Sequence, residues 1–222
     1  MAEDLSVKVV SDIPDALLEK FMQSDVVAVD TELQGLRMGR DQVCLVQMCD
    51  RQGNVCLVRP NPPQPPANLA RLMTSPKVLK VFHYALSDVA FLKSSLGLEC
   101  QPFVCTKVMS KLVRTYTGAH GLKDLVQELA GVKLEKELQQ TNWGSAHLTA
   151  EQLRYAANDV VYLIQVYDTL KRMIVERGTL PSGMSLVKLN EISQAVLPTM
   201  VELLLNGYGD RDNGWETGLF SH

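Results

Sequence analysis

The chain has 222 residues, 46% of them hydrophobic and 21% charged, which is enough apolar content to close a core and excludes a disordered chain. Its 22 basic and 25 acidic side chains leave a net charge of −3. That balance lacks the basic stripe by which proteins grip long nucleic acid, so any phosphate-bearing partner should be short.

Residues 5–10, LSVKVV, read as an edge strand, and Ser11 or Asp12 as the cap of a helix bearing Leu17, Leu18, Phe21 and Met22. The uninterrupted apolar run that opens VVAVDTEL, residues 26–33, marks a strand buried on both faces. Gly35 and Gly39 turn the chain into a strand at 43–49, and the DRQG turn at 50–53 leads to another, giving an antiparallel meander. Five prolines between Pro60 and Pro66 make an extended loop. Then come a short helix at 68–73, a strand ending at His83, a helix at 86–96, a short strand at 103–105 and a basic helix, TKVMSKLVRTY. A helix at 122–129 stops at Gly131, and residues 133–147 are polar and irregular. One long helix should run from Thr149, with Glu151 or Gln152 completing a capping box, to Gly178. A last helix at 185–206 precedes a Gly-rich tail in which Trp215, Leu219 and Phe220 have no local way to be buried.

Strands interspersed with helices imply a three-layer α/β sandwich. Residues 1–178 are expected to form the main domain, and 179–222 a helix and tail packed on that domain or on a neighbouring subunit. The five cysteines, Cys44, Cys49, Cys56, Cys100 and Cys105, lack CxxC spacing and read as buried thiols in a reducing cytoplasm. No apolar run reaches membrane-spanning length and no signal-type block opens the chain, so no membrane partner is expected.

Chemistry concentrates at three places. Asp30 and Glu32, at i and i+2 on a strand, share one face with Thr31 on the other. Two adjacent acids at the end of a core strand need neutralising, and a hard divalent cation does that with carboxylate oxygens. Asp88 follows a buried strand, two residues into a helix. Asp159 sits among Tyr155, Ala156, Ala157, Val160, Val161 and Leu163, with Tyr155 one turn before it and two alanines small enough for a close approach to a sheet.

Asp30-Thr31-Glu32, then His83 to Asp88, then Tyr155-x-x-x-Asp159 resemble the three motifs of the DEDD 3′–5′ exonucleases, in the tyrosine-bearing branch that includes RNase D. FVCTKVMSKLVRTYTGAHGLKDL, LEKELQQTNW and LTAEQLRYAANDVVYL are similar to its short nanoRNase C-type members. The resemblance implies an RNase H-like (DnaQ-like exonuclease) three-layer α/β fold with a mixed five-to-six-stranded sheet, without the helical nucleic-acid-binding domains of long RNase D proteins. It implies a metal-dependent exoribonuclease releasing nucleoside 5′-monophosphates from short RNA, dinucleotides above all. Two divalent cations, Mg²⁺ or Mn²⁺, would be held by Asp30, Glu32, Asp88 and Asp159, with Tyr155 orienting the attacking water. It also implies a homo-oligomer, a ring of eight.

For the substrate, the resemblance points to Leu33 as a wedge against the terminal base, Thr31 backbone groups at the 3′ end, and Gln139 and Trp143 near the 3′ nucleotide. Lys107, Lys111 and Arg114 fall on one helix face, with His120 and Lys123 following. A solvated face explains that cluster equally; His83 reads also as a core histidine and Trp143 also as packing. The pattern departs from the family at Leu33, at Asn142 and in YALSD, which lacks an aromatic before the acid. Three readings stay open: short-RNA exoribonuclease, a broader RNA-trimming or DNA exonuclease of the same fold, and a non-catalytic nucleic-acid-binding module.

Overall fold

The computed structural model describes residues 8–134 and 141–207. Its centre is β2 (Val26–Leu33), inside a six-stranded mixed sheet ordered β1-β4-β3-β2-β5-β6. The other strands are β1 (Val9–Val10), β3 (Val43–Asp50), β4 (Val55–Val58), β5 (Leu79–Phe82) and β6 (Phe103–Cys105). β2, β3 and β4 form the expected antiparallel meander, whereas β5 and β6 add in parallel on the other side of β2. The 50–53 turn is built by Asp50, whose carboxylate accepts the N–H groups of Gln52 at 3.0 Å and Asn54 at 2.9 Å.

Alternation along β2 divides the core in two. Val27 and Val29 pack with α1 (Asp15–Gln23), α2 (Ala67–Met73) and α3 (Ala85–Leu96). Val26 and Ala28 pack with α4 (Thr106–Val113), α5 (Leu122–Ala130) and α7 (Leu163–Arg177). α6 (Ala150–Val161) lies over β3, β2 and β4 on that second face, and α8 (Leu186–Leu205) packs against α3, α4 and α7. The result is the expected three-layer α/β, RNase H-like arrangement. No helix among the described residues is long and apolar enough to cross a membrane.

Four expectations need correction. The long helix is two helices, because the segment serves two sets of neighbours: α6 lies on β2, β3 and β4, while α7 packs on α4, α5 and β5, and Tyr162 is the corner. α3 starts at Ala85, one residue ahead of the expected helix start, so Asp88 stands three residues into α3 rather than two. Neither Ser11 nor Asp12 caps α1, which starts after Pro14. Asp12 instead accepts the N–H groups of Asn68 at 2.9 Å and Leu69 at 3.0 Å, capping α2 from elsewhere in the chain. Finally, α4 ends at Val113. Residues 5–7 of the expected first strand and the tail with Trp215, Leu219 and Phe220 lie outside the described residues.

Beneath the sheet Lys80 on β5 is fully buried. Its ammonium donates to the carbonyls of Gln101 at 2.6 Å, Val78 at 2.8 Å and Ser75 at 2.9 Å, so all three donors are matched. These bonds tie the α2–β5 turn to the segment entering β6. Lys80→Met keeps most of the volume and leaves three carbonyls unpaired, which should cost about 3 kcal/mol. Urea denaturation followed by circular dichroism should show a lower midpoint at unchanged slope.

Candidate active site

The parallel pairing of β2 with β5 brings the C-terminal ends of both strands to one edge of the sheet, where helices from both faces arrive. β2 delivers Asp30 and Glu32, and α6 delivers Asp159 from the second face. One carboxylate oxygen from each can be chosen so that all lie within 4.8 Å of one another. α3 delivers Asp88 from the first face, where Thr31 also points. The Thr31 hydroxyl donates to Asp88 at 2.6 Å. Asp30 stands between the two sides, and its charge pushes both Asp88 and Asp159 upward.

The close approach of α6 depends on small residues, as Ala156 and Ala157 are fully or almost fully buried under it. The capping box Thr149–Gln152 holds its start, with the Gln152 side chain accepting the Thr149 N–H at 2.9 Å. At the other edge of β2 the register with β3 slips between Glu32 and Leu33, leaving Cys44 as the extra residue. Such a bulge re-aims the strand end, and Leu33 turns into the cleft.

Burial raises all four acids, and repulsion adds to it at Glu32, Asp88 and Asp159. Burial drives Asp30 up to about 6. Burial, then Asp30, Asp159 and Asp88, push Glu32 up to about 10. Burial and Asp30 push Asp159 up to about 8, with the Lys123 ammonium pulling the other way. Asp88 rises well above the usual carboxylate range for the same two reasons. Gln47, opposite Asp30 on β3, donates to Glu32 at 3.3 Å. A set of hard oxygen donors crowded against their own repulsion is the chemistry that fits a divalent cation.

The cleft above these acids has a volume of about 410 Å³ and is also lined by Thr31, Leu33, His83, Lys107, Lys123 and Tyr155. The Tyr155 phenol, one turn before Asp159, is raised by burial and then by the negative charge of Asp159, Glu32 and Asp30, so it keeps its proton. The ring is held by Trp143, whose centroid is 6.1 Å away at 40°, and by the Lys123 ammonium 5.3 Å from the ring centre. Trp143 is buried behind Tyr155 rather than lining the cleft. The Thr106 hydroxyl donates to the Phe82 carbonyl at 3.1 Å, so at its 2.9 Å contact with His83 Nδ1 it accepts. That assigns the neutral-ring proton of His83 to Nδ1; burial pushes this histidine down to about 4.

His120 Nδ1 meets Ser110 Oγ at 2.8 Å, at the end of the loop that enters the cleft wall at Gly121. Arg114 is not in the cleft. Past the end of α4 its backbone leaves the helix and its guanidinium turns fully inward, onto Glu128, Ser110 Oγ at 2.9 Å and the Ala119 carbonyl at 2.7 Å. The expected basic face therefore breaks up, with Lys107 in the cleft and Lys111 in the neighbouring groove. Gln139 lies outside the described residues. Sequence reasoning passed over Gln47, a lone amide in the apolar strand VCLVQMC whose interruption was the available signal, and understated Lys123.

Residues 10–175 match the family described as 3′-5′ exonuclease. The chain is 32% identical over 154 residues to Ribonuclease D of Xanthomonas oryzae pv. oryzae, which covers 69% of this chain and 42% of that protein. It thus spans less than half the length of that relative. Brucella melitensis NrnC bound to pGG superposes with a TM-score of 0.84 at 33% identity, covering 98% of this chain and all of the other. Brucella melitensis NrnC with bound Mg²⁺ gives a TM-score of 0.83 at 32% identity, covering 96% and 97%.

Asp159 titrates higher in the folded chain, near 8, than its ordinary 3.8. Its penalty on folding is therefore absent below pH ~4 and grows as the pH climbs toward 8. Without metal at pH 8, Asp159→Asn should raise the melting temperature by about 3 °C or more. Added Mn²⁺ should raise the wild-type melting temperature by calorimetry and raise that of the variant by less.

Proposed function

The chain belongs to the 3′-5′ exonuclease family, in its RNase D-like, tyrosine-bearing branch close to NrnC, and from that membership we propose a metal-dependent exoribonuclease of short RNA, with dinucleotides preferred. The observation behind this reading is the meeting of Asp30, Glu32 and Asp159 within 4.8 Å beside Asp88 and Tyr155 in one cleft. Brucella melitensis NrnC has been solved with pGG and with Mg²⁺, and both ligands suit a cleft of this size and donor set.

Asp30, Glu32 and Asp159 would hold one divalent ion, and Asp30 with Asp88 a second. When bound, such ions neutralise the phosphate and acidify water. The chain's own groups do the rest. Tyr155 orients water as a hydrogen-bonding partner, and a phenol, with an ordinary pKa of about 10, is a poor base by itself. Trp143 and Lys123 fix the ring so that its hydroxyl stays beside Asp159. Water attacks phosphorus from the Tyr155 side and gives up one proton to bulk solvent, the P–O3′ bond breaks, and the departing 3′ oxygen takes a proton from solvent on the opposite, Asp88 side. The released product is a nucleoside 5′-monophosphate. Leu33 supplies an apolar wall for the terminal base, and Thr31 fixes one oxygen of Asp88 so that the other stays directed at the cleft.

The reading extends to a homo-oligomer, for which the exposed Ile192 and Val196 on α8 offer an apolar face. Substrate preference is tested by comparing 5′-phosphorylated diribonucleotides with longer RNA and with DNA under Mg²⁺ or Mn²⁺. Dinucleotides should turn over fastest; shortening of long RNA with dinucleotides left intact would transfer the assignment to broad RNA trimming. Asp30→Ala and Asp159→Ala should each abolish hydrolysis while preserving the circular dichroism spectrum, and normal turnover in either would defeat the reading.

A further inference from the structure

Tyr84 is the one residue other than glycine with a positive φ among the described residues, at φ 71° and ψ 43°. It occupies the N-cap of α3, directly after His83 and one turn before Asp88. A left-handed backbone strains any residue with a Cβ, and glycine would adopt it freely. Core packing does not account for the tyrosine, since it is 49% exposed. The Lys107 ammonium stands 4.1 Å over its ring centre. Both side chains line the cleft above the acids and also a second groove of about 440 Å³ that continues between α4 and α8. A strained, exposed aromatic at the junction of two cavities is placed for contact with a ligand, not for stability.

Its position identifies which part of the ligand. In-line displacement puts the attacking water and the departing oxygen on opposite sides of phosphorus. The water side is that of Tyr155 and Asp159 on α6, so the departing 3′ oxygen faces α3, where Asp88 and Tyr84 stand. That oxygen belongs to the nucleotide on the 5′ side of the cut bond. An aromatic ring beside an ammonium is the pairing that holds an unstacked base by its face with charge for its phosphate, and it tolerates every base.

We propose that Tyr84, backed by Lys107, is a specificity-determining platform on which the base of the 5′-side nucleotide stacks. This rests on the exonuclease reading of the same cleft. The ring face contributes, not the hydroxyl, so binding falls when the ring is lost and survives when only the oxygen is removed. The second groove lets a chain longer than two nucleotides leave past the platform.

The test compares a 5′-phosphorylated diribonucleotide with the same molecule lacking its 5′-side base. Tyr84→Ala should raise KM for the intact dinucleotide about tenfold, with a much smaller change in kcat. On the abasic substrate it should match the wild type. Tyr84→Phe should restore the wild-type KM. Tyr84→Gly should show the same KM defect with a melting temperature at or above that of the wild type, separating loss of the ring from loss of the fold. An unchanged KM in Tyr84→Ala, an equal defect on the abasic substrate, or a Phe variant that behaves like Ala would each overturn the platform. A dinucleotide with 2-aminopurine on the 5′ side, bound in EDTA, reports stacking without hydrolysis. Its emission should fall on the wild type and not on Tyr84→Ala. Failure of hydrolysis with that quenching intact strikes at the exonuclease reading alone, whereas hydrolysis without quenching strikes at the platform alone.

Discussion

Four carboxylates forced together at the end of one strand govern the rest of this structure. Asp30, Glu32, Asp88 and Asp159 come from three elements and from both faces of the sheet, yet burial drives all four out of the usual carboxylate range, and the charge of Asp30 adds to it at the other three. Such an arrangement opposes folding unless protons or cations relieve it. The apolar layers on either side of β2 supply the compensation, since Val26 to Val29 are buried and anchored in both cores.

The polar groups around the acids restrain them without neutralising them. Thr31 donates to Asp88, Gln47 to Glu32, and Lys123 stands where it favours the charged form of Asp159. A stronger set of fixed cations would silence the cluster, because an arginine fork in bidentate contact would occupy the oxygens a metal needs. Arg114, the one fully buried arginine among the described residues, is instead directed away, onto Glu128 and the turn at Ala119, where it braces the loop carrying His120 and Gly121 toward the cleft. Basic charge is thus divided between Arg114, which braces, and Lys107 and Lys123, which line the cleft.

Strain is localised in the same way. The left-handed backbone of Tyr84 and the bulge at Cys44 flank the acids on the α3 side and the β3 side, and both lie where regular elements end. Regular geometry positions the carboxylate oxygens, while irregular geometry shapes the walls of the cleft.

The elements legible in the sequence were those with local causes. Period-two and continuous apolar runs marked β2 to β6, Gly131 ended α5, the Thr149 box began α6, and the i, i+4 pair Tyr155 and Asp159 declared a shared helix face. The acids could be picked out because charge inside an apolar run has few explanations. What only the tertiary structure decided depended on distant partners. Asp12 caps α2 rather than its own helix, the helix after Thr149 bends at Tyr162 to follow two different neighbours, and Arg114 leaves the surface for Glu128. The same holds for Tyr84, whose backbone angle no residue pattern announces. Local sequence sets periodicity and capping within a few residues, but where a side chain points at the end of an element is settled by whichever buried group, far along the chain, most needs its hydrogen bond or charge.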